Sequence, residues 1–128
     1  MIDRGEVNER LEAIVPLRVR GPAGDELELA AVIDTGYTGS LTLPAVVAAS
    51  LGLARRSGGR ALLADGSVRR FDTFAAEVFW GGSWVGVVAS AVGAETLLGM
   101  SLLKGRGLWV EAVPAGAVEI RQLGTGIA

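Results

Sequence analysis

Period-two alternation dominates the chain. Ile14 to Arg20 places Val15, Leu17 and Val19 on one face and Arg18 and Arg20 on the other, the pattern of a half-buried strand. Gly21-Pro22-Ala23-Gly24-Asp25 then reads as a turn. Glu26-Leu27-Glu28-Leu29 alternates again before Ala30-Ala31-Val32-Ile33, which is apolar on both faces. A strand of that kind starts half-exposed and runs into the core, and it delivers Asp34 there. A charge at a buried strand end has to be paired, hydrogen-bonded or protonated.

Leu41 and Leu43 suggest a short strand, and Pro44 precedes a helix over Ala45 to Leu51 that Gly52 closes. Arg55 to Arg60 reads as a basic, glycine-containing linker. Asp65-Gly66, between strand-like flanks, is the strongest short hairpin signal in the sequence. A return strand from Ser67 towards Trp80 meets a second hairpin at Gly81-Gly82, followed by a strand over Trp84 to Val92. Leu97-Leu98-Gly99 introduces a helical turn from Met100 to Lys104, ended by Gly105. Leu108 to Val113 and Ala117 to Leu123 form a last strand pair around Pro114-Ala115-Gly116. These elements predict an all-β domain with one or two short helices, without long repeats or an interdomain linker. One domain is expected over residues 1–128, with a core from about 14 to 123.

Composition narrows the chemistry. The chain has 12 basic and 14 acidic side chains, so no charge excess draws it towards nucleic acid. It has neither histidine nor cysteine. That excludes serine–histidine triads, thiol nucleophiles, zinc sites of imidazole or thiolate and disulfide scaffolds. Acid–base chemistry here falls to carboxylates. The single lysine, Lys104, is not in a phosphate loop, and no Gly-x-Gly-x-x-Gly opens a helix. Neither metal nor cofactor is implied. The first 13 residues hold Asp3, Glu6, Glu9 and Glu12 and do not resemble a secretory signal. Glycines and Pro44 interrupt the uncharged runs at Tyr37–Ala54 and Val78–Ala94, so neither reads as a membrane span. A cytoplasmic protein is expected.

The informative segment is Val32-Ile33-Asp34-Thr35-Gly36, an Asp-Thr-Gly after an apolar strand, with a second strand following and ending at Pro44. On its own, Asp-Thr-Gly could be a turn in which Asp34 bonds nearby backbone N–H groups. Two further features follow in order. Ala64-Asp65-Gly66-Ser67 is a mid-chain hairpin tip, and Leu97-Leu98-Gly99 precedes Leu102-Leu103. Together they resemble the retropepsin-like aspartic peptidases, the family of retroviral proteases and small bacterial homologues. The resemblance spans roughly Ile14 to Leu123. It implies an all-β, closed, barrel-like domain in which Asp34 is the catalytic carboxylate and Thr35 and Gly36 complete its loop. Ala64 to Ser67 would be the flap over the substrate, and Leu97, Leu98 and Gly99 the support beneath the loop.

Peptide hydrolysis by this route uses two carboxylates sharing one proton: one takes a proton from water, the other donates to the carbonyl oxygen. Only one Asp-Thr-Gly is encoded, so the resemblance implies a twofold homodimer acting on peptides or proteins. Thr35 would then bond the partner's loop across the axis, and Gly36 would allow a tight turn and close approach of a substrate strand. Tyr37 stands where many members have alanine or serine. It either lines the cleft or fills the core with its hydroxyl at the edge. The flap tip is less glycine-rich than in retroviral enzymes, and the terminal segments do not match the family's interlocking strands. Arg55, Arg56, Arg60, Arg69 and Arg70 form a basic stretch around the flap: a solvated face, or a preference for acidic substrates. Trp80, Trp84 and Trp109 read as core or interface residues. The alternative class is a non-catalytic module of the same fold that dimerises or binds an extended peptide. A heterodimer with a related chain is a third arrangement.

Overall fold

A computed structural model describes residues 2–62 and 64–124. Strands β1 (Ile2–Val7), β2 (Ala13–Arg20) and β3 (Glu26–Ile33) lead to a short β4 (Leu41–Leu43) and helix α1 (Ala45–Ser50). The hairpin strands β5 (Ala54–Leu62) and β6 (Val68–Trp80) follow, then β7 (Ser83–Ala91) and β8 (Leu97–Leu98). Helix α2 (Met100–Leu103) and the pair β9 (Arg106–Val110) and β10 (Ala117–Gln122) complete the order. The fold is all-β with two short helices. No helix among the described residues is long and apolar enough to cross a membrane.

The alternation in β2 does what its pattern predicts. Val15, Leu17 and Val19 are buried, while β2 pairs antiparallel with β3 from Ile14↔Val32 to Arg20↔Glu26. The Gly81-Gly82 hairpin also forms: both glycines take positive φ, and Trp80↔Ser83 closes the turn. The ten strands pair in the order β5-β6-β7-β4-β8-β3-β2-β1-β10-β9, and β2 also touches β6. That extra contact, Val19↔Val78 and Arg20↔Glu77, turns six of the strands into a closed cycle of pairings. With so short a seam, it is a wrapped sheet rather than a regular barrel. Leu17, Leu41, Leu43, Val78, Leu98 and Ile120 fill its interior. Trp80 is buried there and donates its indole N–H to the Leu102 carbonyl at 3.0 Å, which ties α2 to β6. Trp84 is half-buried and Trp109 exposed, so the core reading holds for Trp80 alone.

Three expectations are corrected. Arg55 to Arg60 is not a linker but lies within β5, paired with β6 from Ala54↔Ala75 to Leu62↔Val68 with a bulge between Arg55 and Ser57. It is an edge strand exposed over most of its length, so arginine and glycine suffice where a buried strand would need apolar alternation. The N-terminal segment, which carries no strand pattern, forms β1. It runs antiparallel to β10 from Ile2↔Arg121 to Glu6↔Ala117 and touches β2 at Glu6↔Ile14. Backbone pairing on both sides, rather than side-chain pattern, makes it a strand. The Asp65-Gly66 hairpin exists, but its last pair is Leu62↔Val68, so five residues connect the strands instead of a two-residue turn. The helical turn expected after Leu97-Leu98-Gly99 forms as α2, and Leu97-Leu98 itself is a short strand because it pairs with both β3 and β4.

Candidate active site

The parallel pairing of β3 with β8 (Val32↔Leu97, Ile33↔Leu98) brings the end of β3 beside the Leu97-Leu98-Gly99 segment. Immediately beyond, the Asp34 N–H donates to the Leu98 carbonyl at 2.9 Å. The chain then turns: the Tyr37 N–H donates to the Asp34 carbonyl at 3.1 Å, and the Gly36 N–H to the Asp34 carboxylate Oδ1 at 3.0 Å. Asp34 is therefore hydrogen-bonded, as a strand-end charge must be. It is not sunk in the core of the protomer, however. Asp34 is half-buried and Thr35 and Gly36 are exposed, because the chain turns outward after Ile33, which still packs against the core. Gly36 has no positive φ; what it provides is room, since a β-carbon there would lie 3.3 Å from Asp34 Oδ1.

The stretch after the loop is held from below. Gly99 N–H donates to the Ser40 carbonyl at 2.9 Å, Met100 N–H to the Tyr37 carbonyl at 2.8 Å and Ser101 N–H to the Gly39 carbonyl at 3.2 Å. The Ser101 hydroxyl donates to the Thr38 carbonyl. A β-carbon on Gly99 would overlap the Gly39 carbonyl, so only glycine lets the two segments pass. Tyr37 is half-buried and folds its ring over Gly39, filling the space beneath its own loop rather than extending it. Next to this, buried Thr42 accepts the Leu97 N–H at 3.0 Å and donates to the Glu95 carbonyl at 3.2 Å. It adds two side-chain bonds to the Thr42↔Leu97 pairing and so fastens β8 and the residues just before it to β4.

The structure brings Asp34, Thr35 and Gly36 together with Leu98 and Gly99, and Leu97 lies one residue back in the same β8 strand. Tyr37 follows the space-filling one of its two expected readings, while the sequence reading does not include Gly39, Thr42 and Ser101 in the support. A threonine inside the apolar Leu41–Leu43 strand was a signal for Thr42; the others depend on which loops cross. Ala64, Asp65, Gly66 and Ser67 lie elsewhere. They cap the β5–β6 hairpin, exposed, with no hydrogen bond to the Asp34 loop among the described residues. The Asp65 carboxylate accepts the Ser67 hydroxyl at 2.6 Å and the Ser67 N–H at 2.9 Å. These two bonds hold its pKa below the ordinary carboxylate value.

No protein-family model matches the chain, and no curated protein matches it. Among solved structures, it is similar to a retropepsin-like aspartic protease from Rickettsia conorii. The TM-score is 0.58 and the identity 16%, over 98% of this chain and 93% of that one. At this identity the likeness is one of fold: the chain has a retropepsin-like all-β fold.

Proposed function

We propose that the chain is one half of a homodimeric aspartic endopeptidase, its site completed by Asp34 of a second copy. The observation that carries this reading is the presentation of the loop. Asp34 is anchored through its N–H to the Leu98 carbonyl at 2.9 Å, the following residues are braced on Gly99 and Ser101, and Thr35 and Gly36 are exposed. A loop rigid at its base and open at its tip suits a face-to-face pairing about a twofold axis. In such a pair one carboxylate takes a proton from water as the water attacks the peptide carbonyl. The other donates to the carbonyl oxygen, and the proton then passes to the departing nitrogen. The Thr35 hydroxyl has no hydrogen bond among the described residues, which leaves it for the partner's loop. The β5–β6 hairpin would serve as the flap over an extended substrate. The fold shared with the rickettsial protease supports the assignment.

A second reading keeps one observation: the Gly36 N–H bond to Asp34 Oδ1 is also what a purely structural turn makes. The module would then dimerise or hold a peptide without cutting it. Asp34→Asn separates the two. Digestion of casein by purified parent and variant should fall by at least about a hundredfold in the variant, with dimer content equal by sedimentation. Equal activity in both would refute the role of Asp34. Inactivity of two well-folded dimers would favour the module.

A further inference from the structure

Phe74, Asp72, Arg70 and Val68 alternate onto one face of β6. The antiparallel register sets them opposite Arg55, Gly58, Arg60 and Leu62 of β5. At Phe74 this face packs on the core, and further along it Ala76, Val78 and Trp80 are buried. Pairing of β6 with β7 ends at Thr73↔Ser90. Beyond that point the hairpin carries the core-side face outward alone, and the face changes character in order. First comes the Arg55–Asp72 ion pair at 3.1 Å, then Arg60 directly opposite Arg70. At the tip are Leu62 and Val68, 76% and 59% exposed.

Two arginines facing each other across a strand pair repel, and they weaken the hairpin that carries them. The carboxylate on this face, Asp72, is already engaged by Arg55. Arg60 and Arg70 have no hydrogen bond or ion pair among the described residues. Both are exposed, and they border a concavity of about 480 Å³ with Arg55, Gly58 and Asp72 of this face and with Gly59 and Phe71, the pair that alternates to the other face. Of the other acids of the hairpin, Asp65 is bound to Ser67 at the tip and Glu77, on the opposite face of β6, is paired with Arg20; Arg69 also lies on that opposite face.

We infer that the core-side face of the β5–β6 hairpin binds an extended acidic peptide. Its carboxylate meets Arg60 and Arg70, and an apolar side chain two residues away meets Leu62 and Val68. The spacing fits: same-face residues of an extended strand recur every ~6.7 Å, on the peptide as on the hairpin. Counter-charge relieves the Arg60–Arg70 repulsion, and the neighbouring apolar contact removes the exposed tip from water. That the peptide is a substrate rests on the endopeptidase reading; under it, the substrate class is segments in which acidic and apolar residues alternate.

The test uses two fluorescein-labelled peptides, one repeating Glu-Ser-Leu-Ser and its twin with glutamine for glutamate. Binding to the Asp34→Asn protein is followed by anisotropy at low salt. The glutamate peptide should bind about tenfold more tightly, as two partly solvated ion pairs allow, and the preference should shrink as salt rises. In the Arg60→Gln/Arg70→Gln variant on the same background, with unchanged circular dichroism, the two peptides should bind within about twofold of each other. Equal binding of the twins, no binding of either, or a preference that survives the double substitution would overturn the inference. Parent protein incubated with both peptides tests the other reading separately. Cleavage without acidic preference would keep the peptidase and remove this specificity. Acid-selective binding without cleavage would keep the binding face and count against the peptidase.

Discussion

Tyr37 lies across Gly99 so closely that a β-carbon at position 99 would stand 2.5 Å from Tyr37 Cδ2 and 2.8 Å from the Tyr37 carbonyl oxygen. The contact joins the stretch that follows Asp34 to the start of α2, and the Met100 N–H bond to the same Tyr37 carbonyl reinforces it. Two sequence-distant pieces, Asp34 to Ser40 and Leu97 to Ser101, thereby act as one support.

Gly99→Ala should therefore destabilise the fold by about 3 kcal/mol, the upper part of the range for overpacking, because backbone atoms obstruct the methyl group and cannot rotate away. Urea denaturation with unchanged slope would show it as a lower midpoint. A cost below about 0.5 kcal/mol, the usual scatter of surface substitutions, would mean that the loop yields freely.

Thr42→Val keeps the shape and removes the hydroxyl that serves the Leu97 N–H and the Glu95 carbonyl. The Leu97 bond is only part-buried, so its loss should cost about 1 kcal/mol, the lower end of the range for an unsatisfied buried donor. Thr42→Ser should recover most of the loss. Hydrogen exchange at the Leu97 amide should quicken in the valine variant and return towards the parent rate with serine.

Thr35→Val tests the proposed dimer. The monomer should be indifferent, since Thr35 is exposed and its hydroxyl has no partner among the described residues. In a twofold dimer the change removes two symmetry-related hydrogen bonds, each about 0.5–1.5 kcal/mol. Sedimentation should show a dimer of about twice 13.2 kDa for the parent, with dissociation about five- to 150-fold easier in the variant. An unchanged dimer would place the interface on another face.

The hairpin tip should respond to acid. Ser67 hydrogen bonds lower the Asp65 pKa, the side-chain bond most. A depressed folded-state pKa means that the tip's ordering is complete above the ordinary carboxylate range and is lost as pH falls through the depressed value. No change is expected near neutrality. In Ser67→Ala the Asp65 titration, followed by carboxyl carbon chemical shifts, should move upward towards the ordinary value. An unmoved titration would show that the Ser67 hydroxyl does not hold the carboxylate in solution.

Local pattern was enough for the strands that bury one side. Val15, Leu17 and Val19, the paired glycines at 81 and 82 and the Leu41–Leu43 strand all follow from side-chain periodicity and turn chemistry, because a half-buried strand has to write its burial into alternate residues. The retropepsin-like order of Asp34-Thr35-Gly36, the mid-chain hairpin and Leu97-Leu98-Gly99 was equally legible, since those residue types stand in a fixed succession. Pattern failed where pairing is backbone alone. β1 is a strand because β10 and β2 flank it, and β5 because β6 does; neither needs an apolar face to be held. The support of the loop was legible only in part: Leu97-Leu98-Gly99 follows from the resemblance, but the contacts it makes do not. Tyr37 beneath its own turn, Gly99 against Gly39 and Thr42 spanning to Glu95 and Leu97 are contacts between segments up to some sixty residues apart. Only the packing of β8 between β3 and β4 decides which loops cross, and only the crossing decides where a methyl group cannot fit.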